Sequence, residues 1–161
     1  MKNLLKLTFI STLLIVASCN APVNSNPDFE TNVELAKSFM IAHGADDIAT
    51  QTGLLHDDLL WQPPMYGSEQ YGKTEHIEAM KMYQQMFDNI TYEADYWLPG
   101  VDPETGMNDG SVRTYGTWTG VHTESGKEFA LKAYHPMAFK DGQIIGGGDY
   151  FDFGGFMASF Q

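Results

Sequence analysis

The chain has 161 residues, 43% of them hydrophobic and 19% charged, with 21 acidic against 9 basic side chains and a formal charge of −12. That length builds one domain with its own core, and the acidic balance excludes nucleic acid and anionic lipid as partners of the folded domain. A single cysteine, Cys19, excludes an intramolecular disulfide.

Residues 1–18 read as an export signal: Lys2 and Lys6 give a positive start, Leu7 to Ala17 a short apolar run, and Val16-Ala17-Ser18 leads into Cys19. The run is too short to span a bilayer. Its end resembles the bacterial lipobox, which implies that Cys19 is lipidated and that the mature protein is anchored in the cell envelope, facing the periplasm or the exterior. Without residues 1–18, which hold two lysines and no acid, the formal charge falls from −12 to −14. Residues 19–27, small, polar and proline-containing, read as a tether, and 28–161 as the folded domain.

Asn26 and Pro27 open a first helix reaching His43, with Phe29, Val33, Ala36, Phe39, Met40 and His43 on one stripe and Gly44 as terminator. Asp46 caps a shorter second helix towards Leu55. His56-Asp57-Asp58 is expected as a turn into a short strand, Leu59 to Gln62, stopped by Pro63-Pro64. After a loop from Tyr66 to Gly72, a third helix is expected from Thr74 to Asn89, with His76, Ala79, Met80, Tyr83, Met86, Phe87 and Ile90 on its buried stripe. The period then changes to two. Strands are expected over Thr91–Leu98, Ser111–Thr123 and Phe129–Phe139, with a last strand running to about Phe153. Three helices followed by antiparallel strands indicate an α+β domain with one sheet face covered by the helices.

Phe129, Leu131, Ala133, His135, Met137 and Phe139 fall on one face of their strand, so one imidazole interrupts an apolar row. What lies beside it depends on the hairpin loop. A two-residue loop, Asp141-Gly142, pairs Lys140 with Gln143, sets His135 opposite Gly148 and turns Asp149 away. A three-residue loop, Lys140-Asp141-Gly142, pairs Phe139 with Gln143, sets His135 opposite Gly147 and brings Asp149 diagonally beside it. The second is preferred here, because it also aligns Ile145, Phe151 and Phe153 with the apolar row.

This element order, with GKTEHIEAM opening the third helix, VRTYGTWTGVHTESGKEF across one hairpin and FKDGQIIGGGDYFDF across the next, resembles the nuclear transport factor 2 superfamily. Within it the chain is most similar to the SnoaL-like polyketide cyclases and their ketosteroid isomerase relatives, over about residues 28 to 158. The resemblance implies a cone-shaped curved sheet, antiparallel with a mixed edge, wrapped around three N-terminal helices and leaving a deep apolar pocket. Ketosteroid isomerase chemistry does not carry over: its base position falls on Pro63, its tyrosine on Phe39 and its later acid on His135, and neither proline nor phenylalanine transfers protons. The cyclase pattern carries over better. It implies Asp149 as a base that removes a proton beside a carbonyl, with His135 as partner, in an isomerase-, cyclase- or hydratase-like reaction on a small hydrophobic carbonyl compound. An apolar pocket would raise the carboxylate's pKa towards neutrality and make it a better base. Gly146-Gly147-Gly148 replaces the family's usual polar or aromatic residues before the aspartate.

Phe39, Trp61, Tyr66, Tyr83 and Trp118 are candidates for lining the pocket. His43, His56, His76 and His122 lack metal-ligand spacing, so no metal is expected, and the cyclase-like chemistry that the resemblance implies needs no organic cofactor. The same pair also fits a binding module that holds an apolar small molecule untransformed, or a core contact in an interaction domain that pairs into a homodimer through the outer sheet face bearing Glu128, Lys132 and Tyr134.

Overall fold

The computed structural model describes residues 25–161; the expected export signal, Cys19 and most of the tether lie outside them. Four helices, α1 (Phe29–Gly44), α2 (Ile48–Leu54), α3 (Lys73–Met86) and α4 (Phe153–Ala158), combine with five strands. The strands are β1 (Leu55–Gln62), β2 (Phe87–Val101), β3 (Asn108–His122), β4 (Glu128–Lys140) and β5 (Gln143–Gly148). They form one open sheet in the order β1-β5-β4-β3-β2, antiparallel except that β1 runs parallel to β5. The domain is therefore α+β with a mixed sheet. Its core joins Val33, Ala36, Phe39 and Met40 of α1 and Met80 of α3 to Leu55, Leu59, Trp61, Val112, Met137 and Ile144 of the sheet.

Several boundaries differ from the sequence expectation. His56-Asp57-Asp58 is not a turn but part of β1, which follows α2 without a break. Only Leu55, Leu59 and Trp61 of β1 are buried, and an edge strand tolerates acids on its outward positions. Helix α3 ends at Met86 rather than Asn89, because Phe87 already pairs with His122 in the sheet. The last strand stops at Gly148. Asp152 then accepts a hydrogen bond from Gly155 N–H at 2.9 Å and starts α4 where further strand was expected.

The β4–β5 hairpin corrects the preferred register. Its loop is the two-residue Asp141-Gly142, with φ of 52° and 74° and Lys140 opposite Gln143, the left-handed pair that a type I′ turn needs. Phe139 then pairs with Ile144, but Ala138 pairs with Gly146, so Ile145 is an inserted residue, a β-bulge. Beyond it Met137 faces Gly147 and Tyr134 faces Tyr150. This register sets Asp149 directly opposite His135. The tight turn alone would have sent Asp149 to the outer face, and the bulge returns it to the inner one.

Candidate functional site

The apolar row of β4 is present as expected, and its His135 is buried at 3% exposure. Its Nε2 lies 2.9 Å from Nε1 of Trp118, one strand away on β3. An indole nitrogen can only donate, so the imidazole lone pair is at Nε2 and the ring proton at Nδ1. Nδ1–H in turn donates to Asp149 Oδ1 at 2.9 Å. The other carboxylate oxygen, Oδ2, accepts from Trp61 Nε1 on β1, also at 2.9 Å. Two indoles, one imidazole and one carboxylate thus form a chain across β1, β3, β4 and the residue following β5.

The glycine run before Asp149 has a local cause. A Cβ on Gly147 would run into the Trp61 ring and the Pro136 carbonyl oxygen, whereas one on Gly146 would meet only ordinary contacts at 3.5 Å and beyond. Gly147 is what lets the Trp61 indole lie against the backbone and reach the carboxylate.

Burial pushes the Asp149 carboxyl up, but the hydrogen bond from His135, the surrounding imidazoles and the Trp61 donor outweigh it, and the group lies below its ordinary value. This reverses the expected rise towards neutrality. An apolar cavity raises a carboxylate only when no donors are aimed at it.

A cavity of about 90 Å³ lies over this chain. Phe39, Trp61, Tyr83 and Trp118 line it, as expected from the sequence. Tyr66 does not: it is fully exposed, in the loop after the Pro63-Pro64 stop of β1. His43 on α1 and His76 on α3, which periodicity marked only as helix core, also reach the cavity, and so do Gln51 on α2, Tyr71 from the loop and Phe156 from α4. His76 is 4% exposed and tilted on Trp61 with ring centroids 4.3 Å apart. Burial lowers both His43 and His76 from the ordinary 6.5 to about 4, so both are neutral at neutral pH. Burial likewise pushes the Tyr71 and Tyr83 hydroxyls up and keeps them protonated. Gln51 ties the helices together: its amide nitrogen lies 3.3 Å from His43 Nδ1 and 2.9 Å from Met80 Sδ, and its oxygen accepts from Gln84 at 3.2 Å. Its helix stripe gave no hint of this, because a polar residue on a short helix reads as surface.

Among the described residues no group of three or more His, Cys, Asp or Glu is arranged to hold a metal ion. Arg113, between the inward Val112 and Thr114, is on the outer face of β3 and away from the cavity.

No family model matches the chain, and no curated protein matches it. Solved structures do. A protein of ketosteroid isomerase-like fold from Catenulispora acidiphila, solved with trimethylamine, aligns with a TM-score of 0.64 at 13% identity, covering 79% of this chain and 92% of its own. An epoxide hydrolase-like protein from Mycobacterium tuberculosis gives 0.63 at 17% identity over 83% and 92%. A candidate polyketide cyclase from Xanthomonas campestris gives 0.63 at 14% over 83% and 99%. The chain has the nuclear transport factor 2-like fold, in the shape shared by ketosteroid isomerase-like and SnoaL-like proteins. Identities this low carry the fold and no activity.

Proposed function

We propose that the domain is a small-molecule binding module of the cell envelope, holding its ligand in the aromatic cavity with the Asp149–His135 pair as polar anchor. The observation that carries this reading is the hydrogen-bonded chain from Trp61 to Trp118. The imidazole lone pair is taken by Trp118, and the donors aimed at the Asp149 oxygens hold the carboxyl below its ordinary value, which makes it a weak base while leaving its charge to anchor a ligand. A neighbour of the same fold that holds a small amine supports the use of this fold for small ligands.

A second reading is cofactor-free enzymology: Asp149 as base and His135 as partner, abstracting a proton beside the carbonyl of a small hydrophobic compound. The direct 2.9 Å contact in apolar surroundings favours it, as do the hydrolase- and cyclase-like names among the neighbours. It requires Asp149 to act as base while it still accepts from His135 and Trp61. Carbonyl compounds screened against wild type and Asp149→Asn separate the two. Turnover that the substitution abolishes would establish the enzyme, equal turnover in both would remove Asp149 as base, and ligand retention without turnover supports the module.

The envelope location rests on Lys2, Lys6, the apolar run and Cys19. Mass spectrometry of the protein from its native membranes should find an acyl mass on wild type and none on Cys19→Ala; an unmodified wild type would refute the anchor. Homodimer formation is supported by the outer face, where Tyr96, Tyr115, Tyr134 and Tyr150 follow one another across the strands. Sedimentation should then show a dimer that Tyr115→Lys dissociates, and a monomeric wild type would end this part of the proposal.

A further inference from the structure

The cavity has a charge that nothing in its wall balances. Among the described residues Asp149 is the only carboxylate lining it, and no lysine or arginine does. The groups that face Asp149 are His135 on β4, Trp61 on β1, His76 and Tyr83 on α3, His43 on α1 and the Tyr71 hydroxyl. His135 carries its single ring proton at Nδ1, because its Nε2 accepts from Trp118. His76 and His43 are neutral at neutral pH through burial. The two indoles and the phenols are neutral donors, so the cavity holds one net negative charge.

A second, independent observation points the same way. His76 Nε2 is buried without a hydrogen-bond partner, the one such side-chain nitrogen or oxygen among the described residues, and its ring lines the cavity. A buried polar atom of this kind calls for an occupant. The Tyr71 hydroxyl lies 3.5 Å from His76 Nδ1; in the tautomer whose Nδ1–H points to that oxygen, Nε2 offers a lone pair, which suits a ligand that donates. The remaining wall is aromatic: Phe39, Trp61, Tyr71, Tyr83 and Trp118. Ring faces attract a cation that has lost part of its water. At about 90 Å³ the space is well below that of a drug-sized site and admits a compact alkyl group. The Asp149 side chain keeps 17% exposure, and a formal charge of −12 on the whole chain steers cations towards it.

We propose that the occupant of this cavity is a small ammonium compound, its charged nitrogen against Asp149 and donating to His76, its alkyl groups against the aromatic wall. The inference rests on the reading of the cavity as a small-molecule site and names the class of ligand for it. A neutral carbonyl compound would leave the charge of the carboxylate unbalanced. An anion would be repelled.

The test uses three probes of nearly one shape: tert-butylammonium, tert-butanol and pivalate. Each is titrated into the wild-type protein at neutral pH, with binding followed by calorimetry and by the indole N–H signals of Trp61 and Trp118. The ammonium ion should bind about tenfold or more tighter than the alcohol, through the ion pair and ring faces together, and pivalate weakest. Asp149→Asn should erase the preference of the ammonium ion over the alcohol, since the charge is lost. Equal affinity for ammonium and alcohol, or tighter pivalate, overturns the ammonium class and leaves the cavity as a neutral-ligand site. Absence of binding by all three overturns the small-molecule reading itself. The probe comparison is made on the wild type, so it decides the matter even if the substituted protein does not fold.

Discussion

Asp149 stands directly opposite His135, Oδ1 to Nδ1 at 2.9 Å, because one inserted residue, Ile145, separates the tight Asp141-Gly142 turn from the site. The pair is continued on both sides by indole donors, and that continuation fixes the protonation of every member. His135 is therefore expected as the Nδ1–H tautomer. Nitrogen-15 NMR of the imidazole should show Nδ1 protonated and Nε2 bare at neutral pH. An imidazolium pattern, or a proton at Nε2, would contradict the Trp118 hydrogen bond and with it the net charge assigned to the cavity.

Removing the carboxylate tests how much the chain contributes to folding. In Asp149→Ala the N–H groups of Trp61 and His135 lose their acceptor inside the cavity wall. An unsatisfied buried donor costs about 1–3 kcal/mol, so the loss should fall between about 2 and 6 kcal/mol for the two. Asp149→Asn keeps one carbonyl oxygen and should lose less than the alanine variant. Urea unfolding monitored by tryptophan fluorescence gives the ranking. Two variants that match wild type would mean that the donors find water instead.

Much of this was readable in the chain, and the limits have physical causes. Period-two alternation identified the inward row Phe129 to Phe139 with His135 in it, because burial on one sheet face imposes that pattern. The Asp149–His135 encounter was expected through a register that does not form. A bulge is an extra residue with no local signature of its own at Ile145, so turn chemistry alone could not supply the true count. His43, His76 and Gln51 were legible only as helix positions. Their meeting in one cavity depends on how α1, α2 and α3 dock, which no periodicity encodes. Tyr66 looked like an aromatic cavity residue by type alone, and the loop places it in solvent.

The glycine run before Asp149 separates into two roles. Gly147→Ala puts a methyl group into the Trp61 ring and the Pro136 carbonyl oxygen, and overpacking of this kind costs about 1–3 kcal/mol. It should also loosen the Trp61 hydrogen bond to Asp149, visible as a shift of that indole N–H signal. Gly146→Ala meets only ordinary contacts and should change stability by no more than about 0.5 kcal/mol. Equal effects at the two positions would show that Gly147 is not there for Trp61.

Acid should destabilise the domain in two stages, and His76 marks the first. Burial holds its folded pKa at about 4 against an ordinary 6.5. Between those values the unfolded chain binds a proton that the folded chain refuses, so stability is full above pH 6.5, falls as the pH drops to about 4, and is not lost further by this group below that. The shift corresponds to at most about 3 kcal/mol, and His43 adds to the same window. Asp149 acts later: its pKa is below the usual carboxylate range, so its contribution is present above the unfolded value and is lost only as the pH falls through the depressed folded one. His76→Phe isolates the first stage. The ring packs against both Phe39 and Trp61 and its Nε2 has no partner, so the substitution should cost little at neutral pH. Urea midpoints measured on wild type and variant from neutral pH down to about pH 4 should show a shallower decline for the variant. Parallel curves would mean that His76 takes up its proton without unfolding the site, and that the burial seen in the structure gives way to solvent as the pH falls.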